Sequence, residues 1–461
     1  MKLKPWSGTR TAVAALLLLI ALLGACTVGP NYRRPAVDVP PNFRNADQPA
    51  QAASIADESW WTVFQDPELQ KLITAALDKN YDVRIAASRI LQAQAQLGIA
   101  RSDQFPQVSG SASLLGQKIP AFGFAASEIE GIFSWNLDFW GQYRRATEAA
   151  RANLLASEWN GKMAMNTLVA NVASSYFELR ELDLELQIAK NTLGSRQESL
   201  QLTQTLERGG ATSLLDVRQA EQLVATAAET IPDTERQIAV MEDTLSTLLG
   251  ENPHDIPRGK PLTEQAIPES IPAGLPSELI ERRPDIRQAE EQLIAANAEI
   301  GVARAQMFPS LLLTGAAGVE SASLTTLFSG TAWNFSAPLT QPIFTAGRLR
   351  SNVKLAKAQQ QQSLLVYQQT IQQAFRQVSD ALISFAKYRQ FREQQQSLTT
   401  AAQGAANLSE IRYRGGAASY LEVLTNETNY FAAELNLARA MLNERLALVQ
   451  IYDALGGGWE R

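Results

Sequence analysis

The chain is nearly without the residues that carry covalent chemistry. Its 461 residues include one cysteine and one histidine. One cysteine excludes an internal disulfide, and one cysteine with one histidine are too few ligands for most zinc sites. The sequence holds no nucleophile–histidine–acid set, no phosphate-cradling glycine loop and no metal-ligand cluster, so it is read as a non-enzyme without cofactor or metal. Base is not in excess: 41 Lys and Arg face 47 Asp and Glu, a net charge of −6. That balance argues against nucleic acid as a partner. After the N-terminus, no apolar run approaches the roughly 18 residues of a transmembrane helix. Any part that spans a membrane would therefore have to be built from strands.

What is there begins with a leader. Lys2, Lys4 and Arg10 precede an apolar run from Thr11 to Leu23, and small residues follow. This is the pattern of a signal peptide over residues 1–25. The lone cysteine lies in Leu23-Gly24-Ala25-Cys26, which resembles the bacterial lipobox. Its thiol is where diacylglycerol would be attached, and two or three chains make a stable anchor. The mature chain is expected to start at Cys26, with 26–67 as a lipid-anchored segment. Thr27 in place of Asp favours release to the outer membrane by the lipoprotein rule.

The rest is written twice. Arg208-Gly209-Gly210-Ala211 matches Arg414-Gly415-Gly416-Ala417, 206 residues on, and Asp216 meets Glu422. Leu97-Gly98-Ile99-Ala100-Arg101 answers Ile300-Gly301-Val302-Ala303-Arg304, and Phe105-Pro106 answers Phe308-Pro309. A tandem duplication follows, with repeats at 68–250 and 277–461. Each repeat predicts a helix of about 35 residues (near 68–104 and 277–307) and a pair of strands (about 105–139 and 308–343). A very long helix follows (near 141–207 and 347–413), then the Arg-Gly-Gly turn, then a closing helix (near 213–249 and 419–454). The proline-rich stretch 251–276 reads as a connector, with His254 as a solvated loop residue.

Val172, Leu179, Leu186, Leu193 and Leu200 recur every seven residues, with Leu182 and Ala189 at the +3 position. Leu364, Ile371, Val378 and Phe385 do the same. This is coiled-coil spacing. Gln359 to Gln362 fit a wet helix face, which suits either the lining of a tube or plain exterior. A helix of about 65 residues is roughly 98 Å long. Two glycines permit a tight helix reversal at each turn.

The strand segments alternate instead. Phe133, Trp135, Leu137 and Phe139 stand against Ser134, Asn136 and Asp138; Trp333 and Phe335 stand against Asn334 and Ser336. Period-two alternation fits membrane β-barrel strands, with Phe133, Trp135, Trp333 and Phe335 toward lipid. Four strands cannot close a barrel, and open edges cannot sit in lipid. Two chains would give eight strands and a filled interior, and three would give twelve and room for water.

Particular motifs carry a resemblance: Cys26-Thr27-Val28-Gly29-Pro30-Asn31-Tyr32, Trp60-Trp61-Thr62-Val63-Phe64-Gln65-Asp66-Pro67, Trp135-Asn136-Leu137-Asp138-Phe139-Trp140-Gly141, Pro342-Ile343-Phe344 leading to Gly347-Arg348, and Tyr452-Asp453-Ala454-Leu455-Gly456-Gly457-Gly458-Trp459. Over nearly the whole mature chain the sequence resembles the TolC/OprM-type outer-membrane efflux duct family, in its lipoprotein (NodT-like) branch. The resemblance implies a mainly α protein with a membrane β-barrel: a homotrimer whose 12-stranded barrel, four strands per protomer, continues into a long α-helical coiled-coil barrel. It implies a periplasmic adaptor, an inner-membrane pump, often of the RND type, and the export of small toxic molecules. It also implies an acid at the periplasmic entrance, a place held by Glu422. The family's second acid position holds Thr425, and Asp216 is the equivalent in the first hairpin. Tyr413 matches a tyrosine that latches the closed tip. The arginine partner position falls on Ala418, which leaves Arg412 or Arg414 for that role. Arg208, Gly209, Gly210, Gly415 and Gly416 complete the tips.

Two other readings stay open: a duct for protein export beside an ABC transporter, and a coiled-coil envelope lipoprotein without a pore. Cys26→Ala is expected to abolish acylation, with no label retained after growth with a fatty-acid probe.

Overall fold

Periodicity of the apolar residues decides each element. The computed structural model describes residues 27–44, 54–119, 122–268 and 271–458. Cys26, the leader 1–25 and Trp459 lie outside the described residues. The helices are α1 (Trp60–Val63), α2 (Pro67–Lys79), α3 (Tyr81–Ser102), α4 (Gln142–Arg208), α5 (Leu214–Leu248), α6 (Pro276–Arg282), α7 (Pro284–Ala305), α8 (Arg348–Arg414) and α9 (Tyr420–Ala454). The strands are β1 (Gln107–Ile119), β2 (Phe122–Leu137), β3 (Ser310–Ser321), β4 (Thr331–Ser336) and β5 (Leu339–Thr340). The duplication is visible in the lengths: α3 and α7 have 22 residues each, α4 and α8 have 67, and α5 and α9 have 35.

Two expected helices are broken. The helix expected near 68–104 stops at Asn80, whose Oδ1 accepts from the N–H groups of Asp82 and Val83 at 2.7 and 3.3 Å. Asn80 thus ends α2 and caps α3. The helix expected near 277–307 stops at Arg283, because the residue before Pro284 is pushed out of the helical region, here to ψ 123. The fourth strand is also interrupted. Pro338 has no N–H, so β4 ends at Ser336 and β5 resumes beyond it on the same neighbour, β3.

Among the described residues the chain forms two compact units, each drawing on both repeats. One contains the sheet, with residues up to Val37, Ser88–Trp159 and Arg287–Thr370. Its strand order is β1-β2-β3-β4, antiparallel throughout. The segment after Thr27 is strapped into this unit. Val28 N–H donates to the Trp140 carbonyl at 3.0 Å, and Asn297 donates to the Pro30 carbonyl at 2.9 Å. Arg145 reaches Asn31 at 2.6 Å, and Tyr32 and Arg34 both reach the buried Glu290 carboxylate, at 3.2 and 2.8 Å. Gly29 has φ +113, and a Cβ there would lie 2.5 Å from the Gly301 Cα. Only glycine lets the strap lie this close.

The other unit contains Asp38–Ala87, Asn160–Ile286 and the residues from Ile371 on. Its core is the heptad seam. Val172, Leu179, Leu182 and Ala189 are buried, as are Ile371, Val378, Leu382 and Phe385. Gln359, Gln361 and Gln362, in the sheet-containing unit, are exposed as a wet face requires. The connector is held by buried polar groups. Asp66, fully buried, caps α2 through Glu68 N–H and accepts from Tyr176 at 2.8 Å, from Gln265 at 2.6 Å and from Lys260 N–H at 3.0 Å. Arg445 donates to the Leu262 carbonyl at 2.6 Å, and Arg180 to the Lys260 carbonyl at 3.0 Å. His254 Nδ1 lies 2.9 Å from the Asn252 carbonyl, within the connector.

Burial alone would raise the Asp66 pKa, but the bonds from Gln265, Tyr176 and the backbone outweigh it and hold it below the ordinary value. A depressed folded pKa means the stabilisation is complete above the unfolded aspartate value, about 3.9, and is lost as pH falls through the folded one. Asp66→Asn is expected to cost about 2 kcal/mol at neutral pH. The difference from the parent should shrink in strongly acidic buffer, measured by circular dichroism of thermal unfolding in detergent.

Candidate functional site

The two Arg-Gly-Gly turns end their helices in the same way. Ala211 N–H donates to the Leu206 carbonyl at 2.8 Å and Gly210 N–H to the Glu207 carbonyl at 2.9 Å. In the second turn, Ala417 donates to Arg412 and Gly416 to Tyr413, at the same two distances. This is the Schellman closure, which needs a left-handed residue at its last turn. Gly210 at φ +72 and Gly416 at φ +70 supply it. Gly209 and Gly415 have no positive φ, and a Cβ at either would meet only ordinary contacts, at 3.4 Å and 3.5 Å.

The turns are brought together. Tyr413, Tyr420, Val423, Ala220 and Leu223 form one buried cluster, with Leu200, Leu206 and Leu424 packed on it. The Tyr413 and Tyr420 rings meet edge to face, with centroids 5.2 Å apart. The Tyr413 hydroxyl donates to Thr212 Oγ1 at 3.3 Å, linking the second turn to the first. Burial pushes the Tyr420 hydroxyl up to about 12, so it stays protonated.

The matched acids are used differently. Asp216 is taken up in a capping box: its carboxylate accepts from Ser213 N–H at 3.3 Å and from the Thr212 hydroxyl, while Ser213 Oγ accepts from Asp216 N–H. Ser419, at the equivalent place, makes no side-chain cap. Glu422 is one methylene longer and lies 3.3 Å from Arg412 Nε instead, with both side chains substantially exposed. Arg414 pairs within its own helix with Glu410 at 2.5 Å. Arg208 folds back on Gln204 and Thr205. The Thr425 hydroxyl donates to the Leu421 carbonyl at 2.8 Å and is otherwise exposed. Of the two arginines expected as latch partners, Arg412 thus faces Glu422 rather than Tyr413. The partner of Tyr413 is Thr212, which was not anticipated. It stands where the second hairpin has Ala418, so the difference between the repeats was its only signal.

In the sheet, register settles the faces. The rows Val108–Phe133–Gly315–Phe335, Trp135–Leu313 and Gly131–Ala317–Trp333 place the four expected aromatics on one side. Trp333 is 79% exposed and Phe335 65%, a cost in water that lipid would remove. Trp135 is half-buried, and its indole donates to the Gln104 carbonyl at 3.1 Å. The other side carries Ser109, Ser111, Ser113, Glu128, Glu130, Ser134, Thr314, Glu320, Asn334 and Ser336 by the same register. Glu128 and Glu320 stand directly opposite each other, an arrangement tolerable only where water or counter-ions reach them.

A sheet with one apolar and one polar face, in a chain whose long helical hairpins reverse at paired turns, defines an outer-membrane channel. The sequence profile of the outer membrane efflux protein family matches residues 72–251 and 275–457, and the chain belongs to that family. It is 36% identical to the probable efflux pump outer membrane protein TtgC of Pseudomonas putida over 97% of this chain and 96% of the relative. It is 34% identical to the cation efflux system protein CusC of Escherichia coli, over 96% and 97%. The open-state crystal structure of the MtrE outer membrane channel of Neisseria gonorrhoeae matches with a TM-score of 0.87 at 32% identity, covering 95% of this chain and 99% of that one.

Gly416→Ala is expected to cost about 1–2 kcal/mol through its left-handed backbone, whereas Gly415→Ala should be close to neutral. Thermal unfolding of the two purified variants checks the contrast.

Proposed function

We propose that the chain is the outer-membrane duct of a tripartite efflux system, carrying small toxic compounds from an inner-membrane pump, of the RND type, and a periplasmic adaptor to the exterior. The observation that carries this is the two-faced sheet. Its aromatic side fits lipid, and its serine- and glutamate-bearing side fits a water-filled lumen. Among the described residues the outer edges of β1 and β4 are unpaired. Three copies pooling four strands each would close those edges in a 12-stranded barrel and leave room for water. The duct is then a homotrimer, anchored in the outer membrane also by acyl chains on Cys26, with segment 26–67 leading into repeats at 68–250 and 277–461 across the connector 251–276. Phe133, Trp135, Trp333 and Phe335 face lipid.

The Arg208–Gly210 and Arg412–Gly416 turns stand at the periplasmic entrance. There Glu422 supplies a ring of three carboxylates about a narrow axis, with Thr425 one turn further on and Asp216 occupied in capping. Such a ring draws cations and repels anions. Arg412 weakens it in part, since an exposed ion pair is screened and worth little.

Planar-bilayer recording of single channels tests both levels. Glu422→Gln is expected to lower cation preference and Arg412→Gln to raise it. Unchanged selectivity in both would remove the ring, and a parent protein without channels would remove the duct.

A further inference from the structure

Arg196 is the largest side chain buried almost completely, at 2% exposure, and it lies in α4 twelve residues before the turn. That is about 18 Å from the turn along the helix. Its Nη1 donates to the Leu223 carbonyl of α5 at 2.8 Å. Its Nη2 reaches the Glu427 carbonyl of α9 at 3.5 Å, and the guanidinium lies 4.9 Å from the centroid of the Phe431 ring, also in α9. One side chain of the first hairpin therefore holds the return helix of its own hairpin and that of the second. The apolar tip cluster sits between this layer and the turns, since Leu223 and Val423 belong to it.

Among the described residues the Glu427 carboxylate is the full counter-charge that faces Arg196, at 3.9 Å from Nε. That is an ion-pair distance but too long for a hydrogen bond. Arg196 Nε and Glu427 Oε2 are both buried and have no hydrogen-bond partner among the described residues. Leaving such atoms unbonded costs stability, and a buried arginine is a poor choice where only packing is needed. What an arginine does that an apolar residue cannot is bind two carbonyls on two helices at a set spacing.

We propose that Arg196 is a positioning residue for transport: with Glu427 it sets the spacing of α5 and α9 behind the periplasmic entrance and so restrains the two hairpins from moving apart. The groups that reach Glu427 are Arg196 from α4, Glu410 from α8 and the Tyr420 hydroxyl from α9, while α5 contributes the Leu223 carbonyl. Burial raises the Glu427 pKa, Arg196 opposes this and Glu410 adds to it. Acid therefore neutralises Glu427 above the ordinary glutamate range and weakens its hold on Arg196. The proposal rests on the duct reading above.

The test is single-channel recording of the purified full-length protein, parent and variants, across a pH series. Arg196→Met keeps the bulk and loses the bonds; it should raise the time spent in high-conductance levels several-fold. Arg196→Lys keeps the charge and should recover part of the difference. In the parent, high-conductance levels should become more frequent as pH falls, and in Glu427→Gln they should be frequent already at neutral pH and insensitive to pH. Assembled Arg196→Met channels that behave as the parent overturn the proposal. If Arg196→Met does not assemble, parental conductance and pH response in both Arg196→Lys and Glu427→Gln overturn it instead. A parent that conducts while the variants match it refutes only the role of Arg196, whereas a parent that does not conduct refutes the duct itself.

Discussion

Backbone N–H and C=O groups cannot be left unpaired in hydrocarbon, and most of this structure follows from that constraint. The chain has no helix long and apolar enough to cross a membrane among its described residues. The sheet has one apolar and one polar face, and a sheet in lipid has to present apolar groups on one side at every second residue. The register does this across all four main strands: Phe133, Gly315 and Phe335 fall in one row, with Ser134, Thr314 and Ser336 in the next. Glycine between two aromatic neighbours leaves room for their rings. The edges of β1 and β4, unpaired among the described residues, then make a single copy incomplete in a bilayer.

The duplicated helical hairpins show how one sequence unit diverges by small steps. The helix lengths and the turn hydrogen bonds are the same in both copies. The matched acids Asp216 and Glu422 take different partners. Asp216 closes a capping box on Ser213, whereas Ser419 makes no side-chain cap and Glu422 pairs across the turn with Arg412. Likewise Thr212 offers an oxygen to Tyr413 where the second copy has Ala418. The first turn serves as a support and the second keeps its charge exposed.

Single buried polar side chains tie segments together, beside apolar anchors such as Ile256 and Leu262 in the connector. Asp66 gathers the connector, Glu290 gathers the strap after Thr27, and Arg196 gathers two return helices. Loops carry backbone groups that need partners when buried, and one carboxylate or guanidinium satisfies several at once. The Trp60–Pro67 and Cys26–Tyr32 motifs, which look like family signatures in the sequence, thus have definite work: the first delivers Asp66, and the second delivers Gly29, Asn31 and Tyr32.

Much was legible in the sequence because it is periodic or repeated. The heptads, the alternation of Phe133 to Leu137 and the doubled Arg-Gly-Gly turn depend only on neighbours along the chain, and these determined helix, strand and turn, while separate motifs such as Trp60–Pro67 and Trp135–Gly141 carried the family. The breaks at Asn80 and Arg283 were local as well, but an uninterrupted apolar pattern masked the asparagine cap and the proline effect. The partners of Tyr413, Glu422 and Arg196 could not be read in this way. They come from residues up to 231 positions away, and they depend on which face of each helix the seam turns inward. A side chain's type and spacing establish what it is able to bind. Only the packing of α4, α5, α8 and α9 decided which of several equally suitable groups stands within hydrogen-bond reach.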